Sequence, residues 1–539
     1  WADEEAHFIR PVRWIVALCD KEIIPMEFAH VKSGNVSRGH RFLCKEPVVI
    51  SDPLSYKETM REAFVIVDQD ERREMIRTGL LSVAATLGGH VWHNADLLEE
   101  INYLVEYPTP LYGRIDDEFL KLPVPAVVTP MRDHQRYYPV RNEDGSLMPY
   151  FLTVRNGGTK ALENVQHGNE KVLRARLDDA KFFFENDRKK TLEGHRDDLT
   201  RINYQEGMGD MRDKADRLQK LTEAIGKDWG FTAEEAADAD RAAFLSKSDL
   251  ATGMVTEFTE LQGEMGKEYA LLDGEKPEVA KAIFEQYMPR FAGDILPQQE
   301  ISRALSLADK LDNLAATFLR GLIPTGSQDP FALRRQTIGA VNILTDGKIH
   351  WDIRRGIEAA LALLPGDEET KKTVLSQIED FFRQRIKAIM LDEGIAYDII
   401  DAVLAGPVDD IYALFLKARS MAESQLKDEA ELRQAVTRLA NITKGKTGGK
   451  VDPSLFTEDV EKKLQDAFEA VSAKALPLFA SYEYGKALPA LKELTAPIND
   501  YLDNVMVMVD DEAVKNNRIS QLLATLALFN TWGDFSKLV

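Results

Sequence analysis

Asp249 in SKSDLATGMVTEFTELQGEMGKEYA (246–270) and Asp309 in LADKLDNL (307–314) are the carboxylates whose setting most suggests chemistry. Each falls at or within a predicted helix. Two such carboxylates can hold a divalent cation that activates water against a phosphate ester, but a site of that kind also needs imidazoles. The nine histidines stand at 7, 30, 40, 90, 93, 134, 167, 195 and 350, so none lies between His195 and His350, where such a centre would sit. Asp249 is therefore expected to turn or cap a helix and Asp309 to pair with a nearby Lys or Arg, with no metal bound. A metal-dependent phosphohydrolase acting on nucleotides or RNA remains the alternative function.

Other chemical signals are weaker. GKTGGK (445–450) has the flavour of a phosphate loop, yet that motif needs G-x-x-x-x-G-K-[ST], and Ala440 stands where the first glycine should. A flexible basic turn between helices is the better reading. His90 and His93 in GGHVWH have no evident carboxylate or cysteine partner and read as ordinary surface or core histidines. QRYY (135–138) mixes a cation with aromatics, as a base-stacking site would, and equally suits strand packing. KFFF (181–184) reads as core.

The formal net charge is −21, the wrong overall sign for a nucleic-acid binder, although local patches decide such binding. Segment 432–450, LRQAVTRLANITKGKTGGK, holds five basic residues and no acidic ones. Cys19 and Cys44 alone cannot make a disulfide framework or a four-thiolate zinc site, which suits a reducing, cytoplasmic setting. No apolar run approaches the roughly 18 residues that span a bilayer, so a soluble chain is expected. The start, WADEEAHFIRPVRW, has neither Met nor a basic-then-apolar leader and reads as N-terminally truncated or processed.

The elements that must position these residues divide at about 160. Before it, PVRWIVALC (11–19), PVVI (47–50), FVIVD (64–68) and YFLTV (150–154) have strand composition. SYKETMREA (55–63) and DERREMIRTGLLSVAATLG (70–88) are helical, and RNEDGSL (141–147) predicts a hairpin turn. Beyond it the pattern is helical to the end. Leu250, Met254, Phe258, Leu261, Met265 and Tyr269 recur as one helical stripe, with a break near Gly263. GLIPTGSQDP (321–330) ends one helix and starts another, with Asp329 as N-cap and Pro330 in the first turn.

Several stretches taken in order resemble the β subunit of the bacterial heterotetrameric glycyl-tRNA synthetase. They are HQRYYPV with GSLMPYFLTVRN, HGNEKVLRARLDDAKFFFENDRKK (167–190), the 246–270 stretch, LADKLDNLAATFLRGLIPTGSQDPFALRR (307–335) and YLDNVMVMVDDEAVKNNRISQLL (501–523). The resemblance implies a multidomain α+β chain. Residues 1–160 would form a module similar to the editing-type domain of phenylalanyl-tRNA synthetase, and 161–345 a helical histidine-aspartate (HD) domain with degenerate ligands, Asp249 and Asp309 being structural. Residues 346–405 would be a helical linker and 406–539 a helical anticodon-binding domain similar to that of arginyl-tRNA synthetase. It also implies an α2β2 assembly in which the α subunit forms glycyl-adenylate with ATP and Mg²⁺, while this chain binds tRNA(Gly) and carries no catalytic residue, with neither DNA nor membrane as partner. Candidate tRNA contacts are Lys417, Arg419, Arg433, Arg438, Lys444, Lys446 and Lys450. Arg518 joins them from the matched NNRIS motif, beside Asn517, for which helix packing is an equal expectation. Asn516 departs from the basic residue that family members often carry there.

Overall fold

In the computed structural model, residue 7 and residues 10–92, 94–326 and 328–538 are described, and His93 lies outside them. Backbone contacts divide the chain into two compact units, Trp1–Thr191 with Asp249–Tyr269, and Leu192–Ser248 with Ala270–Val539.

The first unit carries small sheets and helices. Leu147–Asn156 is the central strand of a three-stranded antiparallel sheet, flanked by Pro108–Arg114 and Tyr138–Arg141. The predicted hairpin forms: Asn142 N–H donates to the Ser146 carbonyl at 2.9 Å, and Gly145 supplies the positive φ of 85° that the turn needs. Phe151 lies opposite Gly113, where an added Cβ would come within 2.2 Å of its ring. The same ring stacks on Tyr137 at 4.6 Å. Tyr137 and Tyr138 are buried and Arg136 pairs with Glu100, so QRYY is packing. Ile76, Leu80 and Ala84 of the Gln69–Thr86 helix, spaced four apart, meet Leu97, Leu98 and Ile101 of Ala95–Leu104 beneath Val140 and Leu152. Each such large side chain contributes about 1.5–3 kcal/mol by burial.

Three expectations are corrected in this unit. FVIVD forms no strand: Ile66 is buried and donates one backbone bond to Glu106, while Asp68 caps the next helix by accepting from Asp70 and Glu71 N–H. The 250–269 stripe is buried from Met254 to Tyr269, with Leu250 half-buried, but it is not one helix. It is broken into Ser248–Ala251, Gly253–Glu257, Thr259–Leu261 and Glu264–Leu272. The Asp187 carboxylate accepts from Gly253 N–H (2.8 Å), Met254 N–H (2.9 Å) and the Tyr269 hydroxyl (2.8 Å), and so starts a new helix inside the stretch. Gly263 turns the chain with φ 82°. KFFF is not all core: Phe182 is 59% exposed, Phe183 lies against Gly253 and Phe184 stacks on Tyr269.

The second unit is helical. Glu300–Leu319 is buried nearly all round and packs against Met211–Trp229, Ala233–Leu245, Leu333–Asp346, Ile353–Ala362 and Glu368–Asp392. Met211–Trp229 opens on a reciprocal Asp210–Asp213 capping box and stops at Gly230, in the left-handed conformation. Asp329 does cap the following helix, accepting from Leu333 (2.8 Å) and Arg334 N–H (2.9 Å), but that helix begins at Leu333 rather than at Pro330. Ala332, at φ 55°, turns the chain into it. Towards the C-terminus, Ala430–Thr443, Asp459–Ala480, Thr495–Asn504 and Glu512–Asn530 pack around buried Leu439, Leu464, Ile498, Tyr501 and Leu522. Among the described residues no helix is long and apolar enough to cross a membrane.

Candidate nucleic-acid interface

A phosphate contact needs a cation that is exposed and not already neutralised by a carboxylate. Ala430–Thr443 ends at Lys444, and residues 444–452 form an irregular turn that Gly445 opens with φ 70°. Lys444 and Lys450 are exposed and make no ion pair among the described residues, while the Lys446 ammonium lies 3.5 Å from the Met508 sulfur. The turn is nonetheless held in place. Asn517 and Ser520 sit three apart on Glu512–Asn530, one helical step, and both reach it. Asp452 N–H donates to Asn517 Oδ1 (2.7 Å), Asn517 Nδ2 donates to the Asp452 carbonyl (3.0 Å), and Gly449 N–H donates to Ser520 Oγ (2.8 Å). Gly448 lets the backbone approach, since an added Cβ there would stand 2.9 Å from Leu523 Cδ1 and 3.2 Å from Ser520 Cα.

The remaining candidates are committed elsewhere. Arg419 forms a bidentate pair with Glu393 (3.0 and 2.8 Å), and Arg438 bridges Asn499 (3.0 Å) and Asp503 (2.5 Å). Arg433 donates to the carbonyls of Leu538 and Lys427. Lys417 lies over the Tyr484 ring at 5.5 Å, and burial pushes its ammonium below the ordinary lysine value against the opposing pull of Asp409 and Asp410. Arg518 is 4% exposed. It donates to Glu461 through Nε (2.9 Å), to the Thr457 hydroxyl (2.6 Å) and to the Met506 carbonyl (2.8 Å). Arg518 thus faces the interior, because a buried Glu461 requires a cation beside it. Burial raises the Glu461 carboxyl, but hydrogen bonds from Arg518 and from Thr457 and Glu458 N–H outweigh this and hold it below the usual glutamate range.

Asp249 is 1% exposed, and its carboxylate accepts from Gly263 N–H at 2.6 Å, tying together the two ends of the broken stretch. Asp309 belongs to a separate buried network in the second unit. Lys214 (2.9 Å) and Lys247 (3.0 Å) flank its carboxylate, and Lys214 (2.9 Å) and Arg217 (2.6 Å) flank that of Asp312. Burial alone would raise the Asp309 carboxyl, yet the two ammoniums hold it well below the carboxylate range. Lys247 adopts φ 66°, unusual for a side chain other than Gly, and its ammonium also lies 3.9 Å from the Tyr287 ring centroid. Lys214, Arg217, Lys247 and Asp312 are not singled out by motif or spacing in the sequence. The available signal is Asp312, three residues beyond Asp309 on a helix too apolar to leave either carboxylate in water.

Residues 432–533, which contain the basic turn and the helix that pins it, match the family described as DALR anticodon binding domain. Residues 1–405 match the family described as Glycyl-tRNA synthetase beta subunit. An anticodon-binding module joined to such a segment defines a synthetase subunit. The chain is 44% identical over 540 residues to the glycine–tRNA ligase beta subunit of Clostridioides difficile, covering 100% of this chain and 78% of that protein. It is 41% identical over 543 residues to the protein of the same name from Desulforamulus reducens, with the same coverage, and 43% identical over 527 residues to that of Halothermothrix orenii, covering 97% and 76%. The chain belongs to the glycyl-tRNA synthetase β-subunit family.

Proposed function

We propose that this chain is the tRNA-binding, non-adenylating subunit of a glycyl-tRNA synthetase. It supports ATP-dependent attachment of glycine to tRNA(Gly), while a separate α subunit, in an α2β2 assembly, forms the adenylate with ATP and Mg²⁺. The supporting observation is the basic turn, where Lys444 and Lys446 lack carboxylate partners among the described residues, Lys450 acts on the Asp452 carboxylate without forming an ion pair, and the backbone is pinned by Asn517 and Ser520. Its place within a match to an anticodon-binding domain fits an interaction with an RNA backbone. Arg518 is set aside as a tRNA ligand, since it is already held by Glu461. Arg419, Arg433 and Arg438 would have to exchange their present partners to reach RNA, and Lys417 would have to leave the Tyr484 ring.

On the same reading, residues 1–160 serve as an editing-type module, 161–345 as a degenerate HD domain, 346–405 as a linker and 406–539 as the anticodon-binding domain, all in the cytoplasm. The Asp309 network supports the degenerate assignment, because lysine ammoniums supply the positive charge that a hydrolase would take from a metal. Charge reversal at Lys444 and Lys446 tests the tRNA role. Tight binding at low salt should weaken, and the slope of log affinity against log salt should become shallower by about one for each phosphate that is no longer neutralised. An unchanged slope would remove this turn from the interface.

A further inference from the structure

GLIPTGSQDPFALRR (321–335) has no role at the basic turn, yet it borders a cleft of about 530 Å³ in the second unit, within the size range of ligand sites. Phe318 and Phe381, edge to face at 5.3 Å, form the apolar floor. Arg385 lies over Phe381, its guanidinium carbon 4.3 Å from the ring centroid. The Arg385 Nε is shut off from solvent and makes no hydrogen bond among the described residues, and the closest polar partner of its guanidinium is Gln384 at 3.4 Å. Arg334 lines the same cleft and donates to the Gly326 carbonyl at 2.6 Å. Neither arginine forms an ion pair among the described residues. Two carboxylates stand nearby without an ion pair to either arginine: Asp380 lines the cleft and lies 3.8 Å from Arg383, and Asp329 accepts from backbone N–H groups while exerting an opposing pull on Arg385. Burial pushes the Arg385 guanidinium below its ordinary value, and Arg334 adds to the shift, as expected for two like charges sharing one site.

Two guanidiniums that line one cleft, neither in an ion pair among the described residues, are suited to an anion such as a phosphodiester. We propose that Arg334 and Arg385 form a second RNA-backbone site, holding a phosphodiester of the bound tRNA at a position separate from the basic turn. This inference rests on the tRNA-binding reading.

The test is tRNA affinity of the full chain across a salt series, for wild type, Arg385→Gln, Arg385→Lys and the Arg334→Gln/Arg385→Gln pair, with thermal melts of each. Arg385→Gln should weaken binding and flatten the salt slope by less than about one, since Arg334 still faces the same phosphodiester. The double variant should flatten it further, and Arg385→Lys, which keeps the charge, should retain most of the slope. A wild-type slope in the double variant would overturn the proposal while leaving the tRNA reading intact. So would a salt slope in Arg385→Lys as shallow as in Arg385→Gln, because the charge at this position would then not be what neutralises a phosphate. Stabilisation of the wild type by inorganic phosphate, combined with an unchanged tRNA slope in the double variant, would assign the site to a free phosphate and overturn its assignment to RNA. If the wild-type chain and its charge-reversed Lys444/Lys446 variant both fail to bind tRNA, the underlying reading falls with it.

Discussion

Asn517 and Asp452 are joined by two reciprocal hydrogen bonds, the Asp452 N–H to Asn517 Oδ1 at 2.7 Å and Asn517 Nδ2 to the Asp452 carbonyl at 3.0 Å. A side-chain amide here pairs with a backbone peptide as a second strand would, so a turn without secondary structure of its own has a defined position. On the proposed reading, this pairing links the NNRIS segment to tRNA binding through the turn it holds.

Asn517→Ala should therefore lower tRNA affinity although it removes no charge. Removing the pair costs about 1–2 kcal/mol in stability. Amide exchange across residues 444–452 should accelerate, while the salt slope of binding stays close to wild type because every lysine remains. Hydrogen-exchange mass spectrometry alongside fluorescence anisotropy checks both parts.

Arg518 and Glu461 should behave as one structural unit. Arg518→Ala leaves Glu461 buried and uncompensated, a loss of roughly 3–5 kcal/mol, whereas Arg518→Met with Glu461→Leu should recover much of it. A thermal double-mutant cycle measures the coupling. A folded double variant should retain the wild-type salt slope with tRNA.

The Asp309–Asp312 network makes an acid-side prediction. Both carboxyls lie below their unfolded values, since Lys214 acts on both, with Lys247 at Asp309 and Arg217 at Asp312, against the effect of burial. Their stabilisation is therefore fully present above the unfolded aspartate value of about 3.9 and is lost progressively as pH falls below it towards the depressed folded values. Asp309→Asn should be less stable than wild type at pH 7, and the gap should narrow as the wild type loses stability on acidification. Denaturant midpoints at pH 7, 5, 4 and 3 test this, and a gap that widened on acidification would contradict it.

Much of this was legible in the sequence where a local pattern and the tertiary outcome agree. The Asn-Asp-Gly composition of RNEDGSL specifies a turn whatever surrounds it, and the acid-free run from Arg433 to Lys450 contains the three lysines that make no ion pair among the described residues. The stripe from Leu250 to Tyr269 was legible as a buried face but not as its actual path, because the carboxylate that starts a new helix at Gly253 comes from Asp187, 66 positions earlier. The candidate cations could not be sorted by type or spacing. Arg518 and Lys444 are both basic, and what separates them is the packing of Glu461 against one and, among the described residues, of nothing acidic against the other.

Aminoacylation of tRNA(Gly) with glycine, ATP and Mg²⁺, measured with the α subunit alone, this chain alone and both together, tests the central claim most directly. Glycyl-adenylate is expected to form whenever α is present and not with this chain alone, and efficient charging of tRNA is expected only when both are combined. Adenylate formed by this chain alone, or charging by α that does not change when this chain is added, would contradict the assignment.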